Sequence, residues 1–132
     1  MKEVHYDGKT VAIFHRLQDW KEGLDFLTQN ETYIQAGTWW YQAGKNLKAH
    51  IHIENKRAAE FTQEVIVVVG GRLRVDLYSP SRDIFHQEEL RTGDMGVILA
   101  VGHGYQILDP DTKVVEIKNG PFISVEKDKV LI

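Results

Sequence analysis

Cysteine is absent from this chain of 132 residues, proline occurs only three times, and no long apolar run is present. Without cysteine there is no disulfide, no thiolate nucleophile and no cysteine-bound zinc or iron-sulfur centre, so histidine, carboxylate, amide or water must hold any metal. No linker, repeat or low-complexity tract divides the chain. We therefore expect one domain over residues 1–132, which is large enough to bury roughly two-thirds of its unfolded surface.

Basic residues are not in excess either, because the chain has 16 Lys and Arg and 19 Asp and Glu, which gives a formal charge of −3. No block of basic residues could follow a phosphate backbone, so a nucleic-acid partner is not expected. The N-terminus has no signal-peptide core, and no segment approaches the roughly 18 apolar residues of a spanning helix. These absences predict a cytoplasmic protein with no membrane partner.

One segment has the spacing of a helix, "DWKEGLDFLTQN" at residues 19–30. Trp20, Leu24 and Leu27 recur at helical intervals, and Asp19 could cap the first turn. This pattern predicts one short N-terminal helix.

Eight short β-rich runs follow from residue 33 onward, separated by turn residues. They are "YIQAGTWWYQA", "LKAHIHI", "TQEVIVVV", "RLRVDLYS", "RDIFHQEEL", "MGVILA", "GYQIL" and "KVVEIKNG". The pair Gly70 and Gly71 suits a hairpin turn with positive φ, and "SPSRD" and "DPDTK" also carry turn chemistry. Strands at such short spacing predict an all-β barrel or sandwich, and the antiparallel jelly roll belongs to this group.

Two histidines stand one residue apart in the run "LKAHIHI". In a strand, His50 and His52 would point the same way with their Cα atoms roughly 6.5 to 7 Å apart, so both imidazoles could bind one ion. The alternative is two ordinary polar positions on a half-exposed strand.

Two more residues favour a metal site over that alternative. Glu64 opens a strongly apolar strand, where it either meets a counter-charge or caps a solvated strand end. His103 lies between two glycines after another apolar strand, and glycine lets backbone approach a site closely. His103 could equally be an exposed loop residue.

Taken together, these residues resemble the first motif of the cupin family, which places a glycine, an H-x-H pair, a glutamate and a second glycine in sequence. The matching residues are Gly44, His50, His52, Glu64 and Gly71. The gaps from Gly44 to His50 and from Glu64 to Gly71 are those of the family. The second cupin motif leads from a glycine to a histidine, matched here by Gly93 and His103.

Three departures from the cupin pattern stand out. Eleven residues separate His52 from Glu64, which implies an enlarged loop, and Glu54 or Glu60 could replace Glu64 as a ligand. The second motif lacks its proline and brings His103 one residue closer to Gly93 than is usual. The asparagine that often follows that motif is absent.

The resemblance implies a cupin-type antiparallel jelly-roll β-barrel with its core at about residues 33–120, following the short N-terminal helix. It also implies a divalent metal bound by His50, His52, Glu64 and His103. Three imidazoles and a carboxylate accept Fe, Mn, Ni, Co, Cu or Zn. An open divalent site can polarise a carbonyl group or activate water.

Cupins include several classes of protein, so the resemblance leaves three functions open. The first is a metal-dependent enzyme acting on a small polar molecule such as a sugar or sugar-derived acid. The second is an iron-dependent dioxygenase, and the third is a non-catalytic carbohydrate-binding or regulatory module. Stretches such as "GLDFLT" and "GHGYQIL" resemble a subgroup of small cupins found with polysaccharide or nucleotide-sugar genes.

Five side chains near the motifs are candidates for lining a pocket: Gln63, Tyr41, Arg74, Tyr105 and Lys118. Arg74 shares a strand face with Arg72, Asp76 and Tyr78, a pattern typical of a solvated charge ladder. If Arg74 points inward instead, it would bind a carboxylate or phosphate on the substrate.

The histidines outside the motifs, His5, His15 and His86, are predicted to lie at the surface. Trp39 and Trp40 are interpreted as core aromatics rather than as a platform for the substrate, although adjacent strand residues face opposite ways. We expect a homodimer, because small barrels often cover their outer strand edges by pairing.

Overall fold

The structure is a computed structural model that describes residues 1–54, 56, 58–120, 124 and 132. The described part of the chain is all-β, and none of its helices is long and apolar enough to cross a membrane. Its strands are β1 (Lys2–Tyr6), β2 (Lys9–His15), β3 (Gly23–Phe26), β4 (Gly37–Trp40), β5 (Glu64–Gly70), β6 (Arg72–Tyr78), β7 (Ile84–Arg91), β8 (Met95–Ile98), β9 (Gly102–Ile107) and β10 (Lys113–Lys118).

The strands form three antiparallel sheets, and within the described ranges none of them closes into a barrel. A five-stranded sheet has the order β1-β2-β8-β5-β10, and a three-stranded sheet has the order β7-β6-β9. The third sheet is the ribbon β3-β4. Both β9 and β10 are therefore edge strands, and they belong to different sheets.

The main core lies between the five-stranded and three-stranded sheets. Phe14 and Ile66 of the first pack in one cluster with Leu73, Val75 and Leu90 of the second. Leu73 and Leu90 alternate with more exposed neighbours, as expected for a sheet with one buried face. Phe14 and Ile66 instead stand next to the buried Ile13 and Val65, because the five-stranded sheet is covered on both faces. A smaller cluster on the opposite face of the five-stranded sheet is covered by residues 34–36.

The helix predicted over residues 19–30 is wrong. A short 3-10 turn covers Leu17–Asp19, and strand β3 follows. Gly23 has φ +98°, which lies in the left-handed region and interrupts a right-handed helix. The apolar spacing that favoured a helix belongs instead to a ribbon with Leu24 and Phe26 exposed.

Seven of the eight predicted runs contain a strand, and the exception is "LKAHIHI". Residues 47–53 have no regular secondary structure and their side chains are exposed. The pattern missed β1, β2 and β3, so the main sheet begins well before residue 33. Asn55 and Arg57, which belong to the predicted enlarged loop, lie outside the described residues.

Gly71 makes the turn expected at residues 70–71, but the turn is not a hairpin. Its φ is +79°, as the sequence predicted. Strands β5 and β6 do not pair, because the chain crosses there from the five-stranded sheet to the three-stranded sheet. This crossing places the start of β5 opposite β9.

Candidate functional site

The candidate site is a polar cluster at one end of the space between the two large sheets. Glu64 is the first residue of β5, and Lys118, the last of β10, is its partner in the strand register. His103 and Tyr105 come from β9 in the facing sheet. We call Glu64, His103, Tyr105, Glu116 and Lys118 the acid-imidazole cluster.

Strand alternation places these side chains on the interior side of both sheets. Glu64 stands in the same alternating series as the buried Ile66 and Val68, and it pairs across the sheet with Ile98. Only 12% of the Glu64 side chain and 25% of the His103 side chain is exposed. The pair is thus largely withdrawn from water, which strengthens its electrostatic interactions.

The centre of the cluster is a hydrogen bond between two residues that are distant in the sequence. Nε2 of His103 lies 3.0 Å from Oε2 of Glu64, and Nδ1 of His103 lies 3.2 Å from the carbonyl oxygen of Val101. Both neighbours are acceptors, so His103 satisfies both only when both ring nitrogens carry hydrogen. The geometry therefore favours an imidazolium paired with a carboxylate.

The surroundings shift the pKa values of His103 and Glu64 in the directions that favour this ion pair. Burial lowers the pKa of His103, but the hydrogen bond to Glu64, the Val101 carbonyl and the negative charge of Glu64 outweigh it and raise the pKa. The pKa of Glu64 is lowered, chiefly by the hydrogen bond from His103, against the opposing effect of burial.

Tyr105 and Lys118 complete the surroundings of Glu64. The Tyr105 hydroxyl donates to Oε2 of Glu64 at 3.3 Å, and Nζ of Lys118 lies 3.9 Å from Oε1. Lys118 also lies 3.5 Å from Glu116. Burial and the charge of Glu64 raise the pKa of Tyr105, so its hydroxyl stays protonated as a donor.

The structure brings together only part of the predicted metal-ligand set. Glu64 and His103 meet, whereas His50 and His52 are exposed and contact each other, with ring centroids 4.9 Å apart. Among the described residues, no group of three or more His, Asp or Glu side chains is placed to hold a metal ion. In this arrangement the four residues do not form a complete ligand set.

Three of the predicted pocket residues have partners outside the acid-imidazole cluster. The buried Gln63 accepts a hydrogen bond from the backbone of Ile34 at 2.9 Å, so it anchors the segment covering the sheet. Arg74 binds Asp76 through two hydrogen bonds of 2.7 and 3.0 Å, as the charge ladder predicts. Tyr41 lies under the ammonium group of Lys45. Tyr105 and Lys118 are in the cluster.

The expectation that three histidines lie at the surface is wrong for one of them. His15 is only 1% exposed, and its Nε2 has no hydrogen-bond partner among the described residues. His86 is half-buried and bonds to Glu88, whereas His5 is exposed. Trp39 and Trp40 are exposed as well, so they are not core aromatics.

The sequence reasoning missed the role of the apolar residues beside the cluster. Ile107 and Val114 stand next to Tyr105 and Glu116 in the β9 and β10 alternations, and together they line a small cleft. Period-2 alternation within each run could have grouped them, but the sequence gives no sign that the two strands face each other.

In comparisons with known proteins, no family model, curated protein or solved structure matched the chain.

Proposed function

We propose that the protein is an enzyme acting on a small polar molecule, such as a sugar or sugar-derived acid, at the acid-imidazole cluster. The observation that carries this proposal is the position of His103, whose two ring nitrogens each face an acceptor at about hydrogen-bond distance. Such a ring is held as a proton donor beside a carboxylate that can accept a proton. Paired groups of this kind are the requirement for general acid-base catalysis.

The reaction class that suits this pair is proton transfer next to a carbonyl group. Glu64 would accept a proton from the carbon beside the carbonyl. Nε2 of His103 would turn its hydrogen bond from Glu64 to the substrate and donate its proton to the carbonyl oxygen, which yields the neutral enol. Lys118 and Tyr105 would hold Glu64 in place, and the remaining N–H groups of Lys118 would offer further hydrogen-bond donors to the substrate. Partial burial supports the role, because excluding water strengthens these interactions.

Ligand-dependent stabilisation tests the proposal. D-glucuronate, D-galacturonate and D-gluconate serve as probes, with the melting temperature as readout. At least one probe is expected to raise the melting temperature of the native chain and of Glu22→Gln, whose side chain is exposed and distant in sequence from the cluster. Glu64→Gln is expected to lose that rise. Equal stabilisation of both variants would place the ligand elsewhere.

A divalent-metal site is the second candidate. It is supported by the meeting of Glu64 and His103 across two sheets, which unites two ligand types in the order of the cupin motifs. His50 and His52, with adjacent rings in the segment that leads to β5, would supply the other two ligands. The metal would polarise a substrate carbonyl or activate water, and any of Fe, Mn, Ni, Co, Cu and Zn suits these ligands.

Metal titration distinguishes this candidate from the first. Calorimetry with Zn²⁺ or Mn²⁺ is expected to show one site per chain in the native protein and in His5→Ala, and no site in His52→Ala. Proton release should accompany binding, because ligating imidazoles must be neutral. Full metal affinity in His52→Ala would reject the four-residue ligand set.

Two further functions, an iron-dependent dioxygenase and a non-catalytic binding module, predict different experimental results. Oxygen uptake with bound iron would identify a dioxygenase, whereas activity with zinc or manganese would exclude one. A binding module would be stabilised by a probe but would form no product from it, even after metal is added back. Deuterium exchange into the probe at the carbon beside its carbonyl group is the product that proton transfer predicts.

The cupin-type jelly roll and the homodimer belong to the same proposal. The jelly roll is supported by two antiparallel sheets that share one core. The homodimer is supported by β1 and β10, which are the edge strands of the five-stranded sheet. Sedimentation at the monomer mass of 15.2 kDa would contradict the homodimer.

A further inference from the structure

A small apolar cleft lies beside the acid-imidazole cluster and shares a wall with it. The cleft has a volume of about 200 Å³ and is lined by Ile66, Leu73, Tyr105, Ile107, Val114 and Glu116. It opens between β9 and β10, which are edge strands of different sheets. Its floor is the main core, because Ile66 and Leu73 are almost fully buried there.

The two polar residues of the cleft wall are the ones that reach the cluster. The Tyr105 hydroxyl contacts Glu64 at 3.3 Å, and the Glu116 carboxylate contacts Lys118 at 3.5 Å. The remaining four lining residues are aliphatic. A molecule bound at Glu64 and His103 therefore has an apolar space directly beside it.

The size of the cleft limits what it can hold. Pockets that take a whole drug-sized ligand measure roughly 300 to 1,000 Å³, so this cleft takes only part of a molecule. Its volume corresponds to about six atoms of the size of a water molecule. A short aliphatic group fits both that space and its apolar lining. A nucleotide is too large for it, and a sugar ring would lose hydrogen bonds to water there.

We infer that the ligand of this protein is amphipathic, with a hydroxyl or carbonyl group at Glu64 and His103 and a short aliphatic group in the cleft between β9 and β10. This inference rests on the proposed function, and it narrows the substrate from polar molecules in general to those that carry an alkyl group. Tyr105 separates the two parts of the site, with its hydroxyl on the polar side and its ring on the apolar side.

A homologous series of diols tests the inference. The probes are 1,2-propanediol, 1,2-butanediol, 1,2-pentanediol and 1,2-hexanediol. Binding is monitored through the methyl resonances of Ile66, Ile107 and Val114 in a ¹³C spectrum. Each added methylene group is expected to tighten binding about fourfold, which is the effect of burying one such group. The Ile117 methyl groups, on the opposite face of β10, are expected not to respond.

A matched pair of variants locates the effect. Val114→Phe places a ring in the cleft, and the dependence on chain length is expected to disappear. Val115→Phe adds the same ring on the other, exposed face of β10, and the dependence is expected to remain. Both residues are at least partly exposed, so neither change disrupts the core, and circular dichroism checks that both variants fold.

The inference and the proposed function fail in different ways. If D-glucuronate shifts the imidazole resonance of His103 but the diols show no dependence on chain length, the cleft is not an alkyl site and the inference is overturned. If the diols bind with the expected dependence on chain length but no polar probe affects His103, the proposed function fails. The inference that one ligand occupies both the cluster and the cleft is then overturned with it. Loss of the chain-length dependence in Val115→Phe as well would also overturn the assignment to this cleft.

Discussion

His15 and His103 show at the scale of single residues how surroundings decide the chemistry of one side chain. Both are withdrawn from water, but His103 has an acceptor at each ring nitrogen, whereas Nε2 of His15 has no partner among the described residues. Burial lowers the pKa of His15, and the N-terminal amine adds to this, although Asp19 and Asp25 oppose it. The pKa of His103 is raised instead. Protonation in acid therefore opposes folding at His15 and favours folding at His103.

The lowered pKa of His15 predicts a loss of stability in acid. Above its usual pKa of 6.5 the residue is neutral in both the folded and the unfolded chain. As the pH falls from 6.5 through the lowered pKa of the folded state, the unfolded chain binds a proton that the folded chain does not, so the free energy of unfolding decreases. As the pH falls, the free energy of unfolding of the native chain should therefore decrease more than that of His15→Phe.

Urea unfolding at pH 7.5 and pH 5.5 measures this effect. His15→Phe should retain more of its free energy of unfolding at the lower pH than the native chain does. His5→Phe, at an exposed position, should behave like the native chain. An identical pH dependence in His15→Phe and the native chain would show that His15 is not buried in neutral form.

At the scale of structural elements, the turn between β5 and β6 sets the geometry of the site. Gly71 has φ +79°, and a Cβ atom added there would lie 2.4 Å from Oγ1 and 2.8 Å from Cα of Thr112. Thr112 belongs to the segment that leads into β10. The crossing between sheets and the start of β10 are therefore packed against each other.

Gly71→Ala is predicted to destabilise the protein by about 2 to 4 kcal/mol, through the left-handed backbone and the clash with the Thr112 backbone. The control is Gly70→Ala, because an added Cβ there has no atom within 4 Å. That variant should change the free energy of unfolding by less than about 0.5 kcal/mol. Equal effects at both positions in chemical denaturation would contradict the close packing at Gly71.

The later strands could be predicted from the sequence, and the earlier elements could not. Strands β5 to β10 are short β-rich runs bounded by clear turn chemistry, and in β6 the interior face follows from the alternation of apolar and polar residues. The apolar spacing around β3 fits a helix as well as a strand, and the helix is excluded by the φ of Gly23 and by the pairing of β3 with β4. The alternation in "LKAHIHI" does not produce a strand, because a strand also needs a partner to complete its hydrogen bonds.

The candidate site could be predicted only in part, for a related reason. Glu64 and His103 were identified from apolar strands that end in polar or glycine residues, and the structure brings them together. The positions of Tyr105 and Lys118 beside Glu64 depend on which strands face each other. That information lies in the sheet order, which local pattern does not contain.

At the scale of the whole molecule, Arg16 ties the two large sheets together beside the core. It follows β2 of the five-stranded sheet and binds Glu88 on β7 of the three-stranded sheet, the carbonyl of Glu89, and Asp94 before β8. Glu88 and Asp94 are both largely buried. This network joins the sheets at the opposite edge of the three-stranded sheet from β9.

Arg16→Met is predicted to cost about 1 to 3 kcal/mol, because it removes a charged hydrogen-bond donor from two largely buried carboxylates. Glu88 keeps its hydrogen bonds to Lys2 and His86. Arg91→Met changes an exposed arginine and should cost less than about 0.5 kcal/mol. Chemical denaturation of both variants provides the comparison. A loss in Arg16→Met no greater than that in Arg91→Met would contradict the role of Arg16 in joining the sheets.

The most direct test of the central claim follows the Cε1 proton of His103 by NMR while a polar probe such as D-glucuronate is added. We predict a saturable shift of the His103 signal in the native chain, no shift of the His5 signal, and loss of the His103 response in Glu64→Gln. A His103 signal that stays constant while the probe binds, or that responds equally in Glu64→Gln, would contradict the claim that the Glu64 and His103 pair is the functional centre.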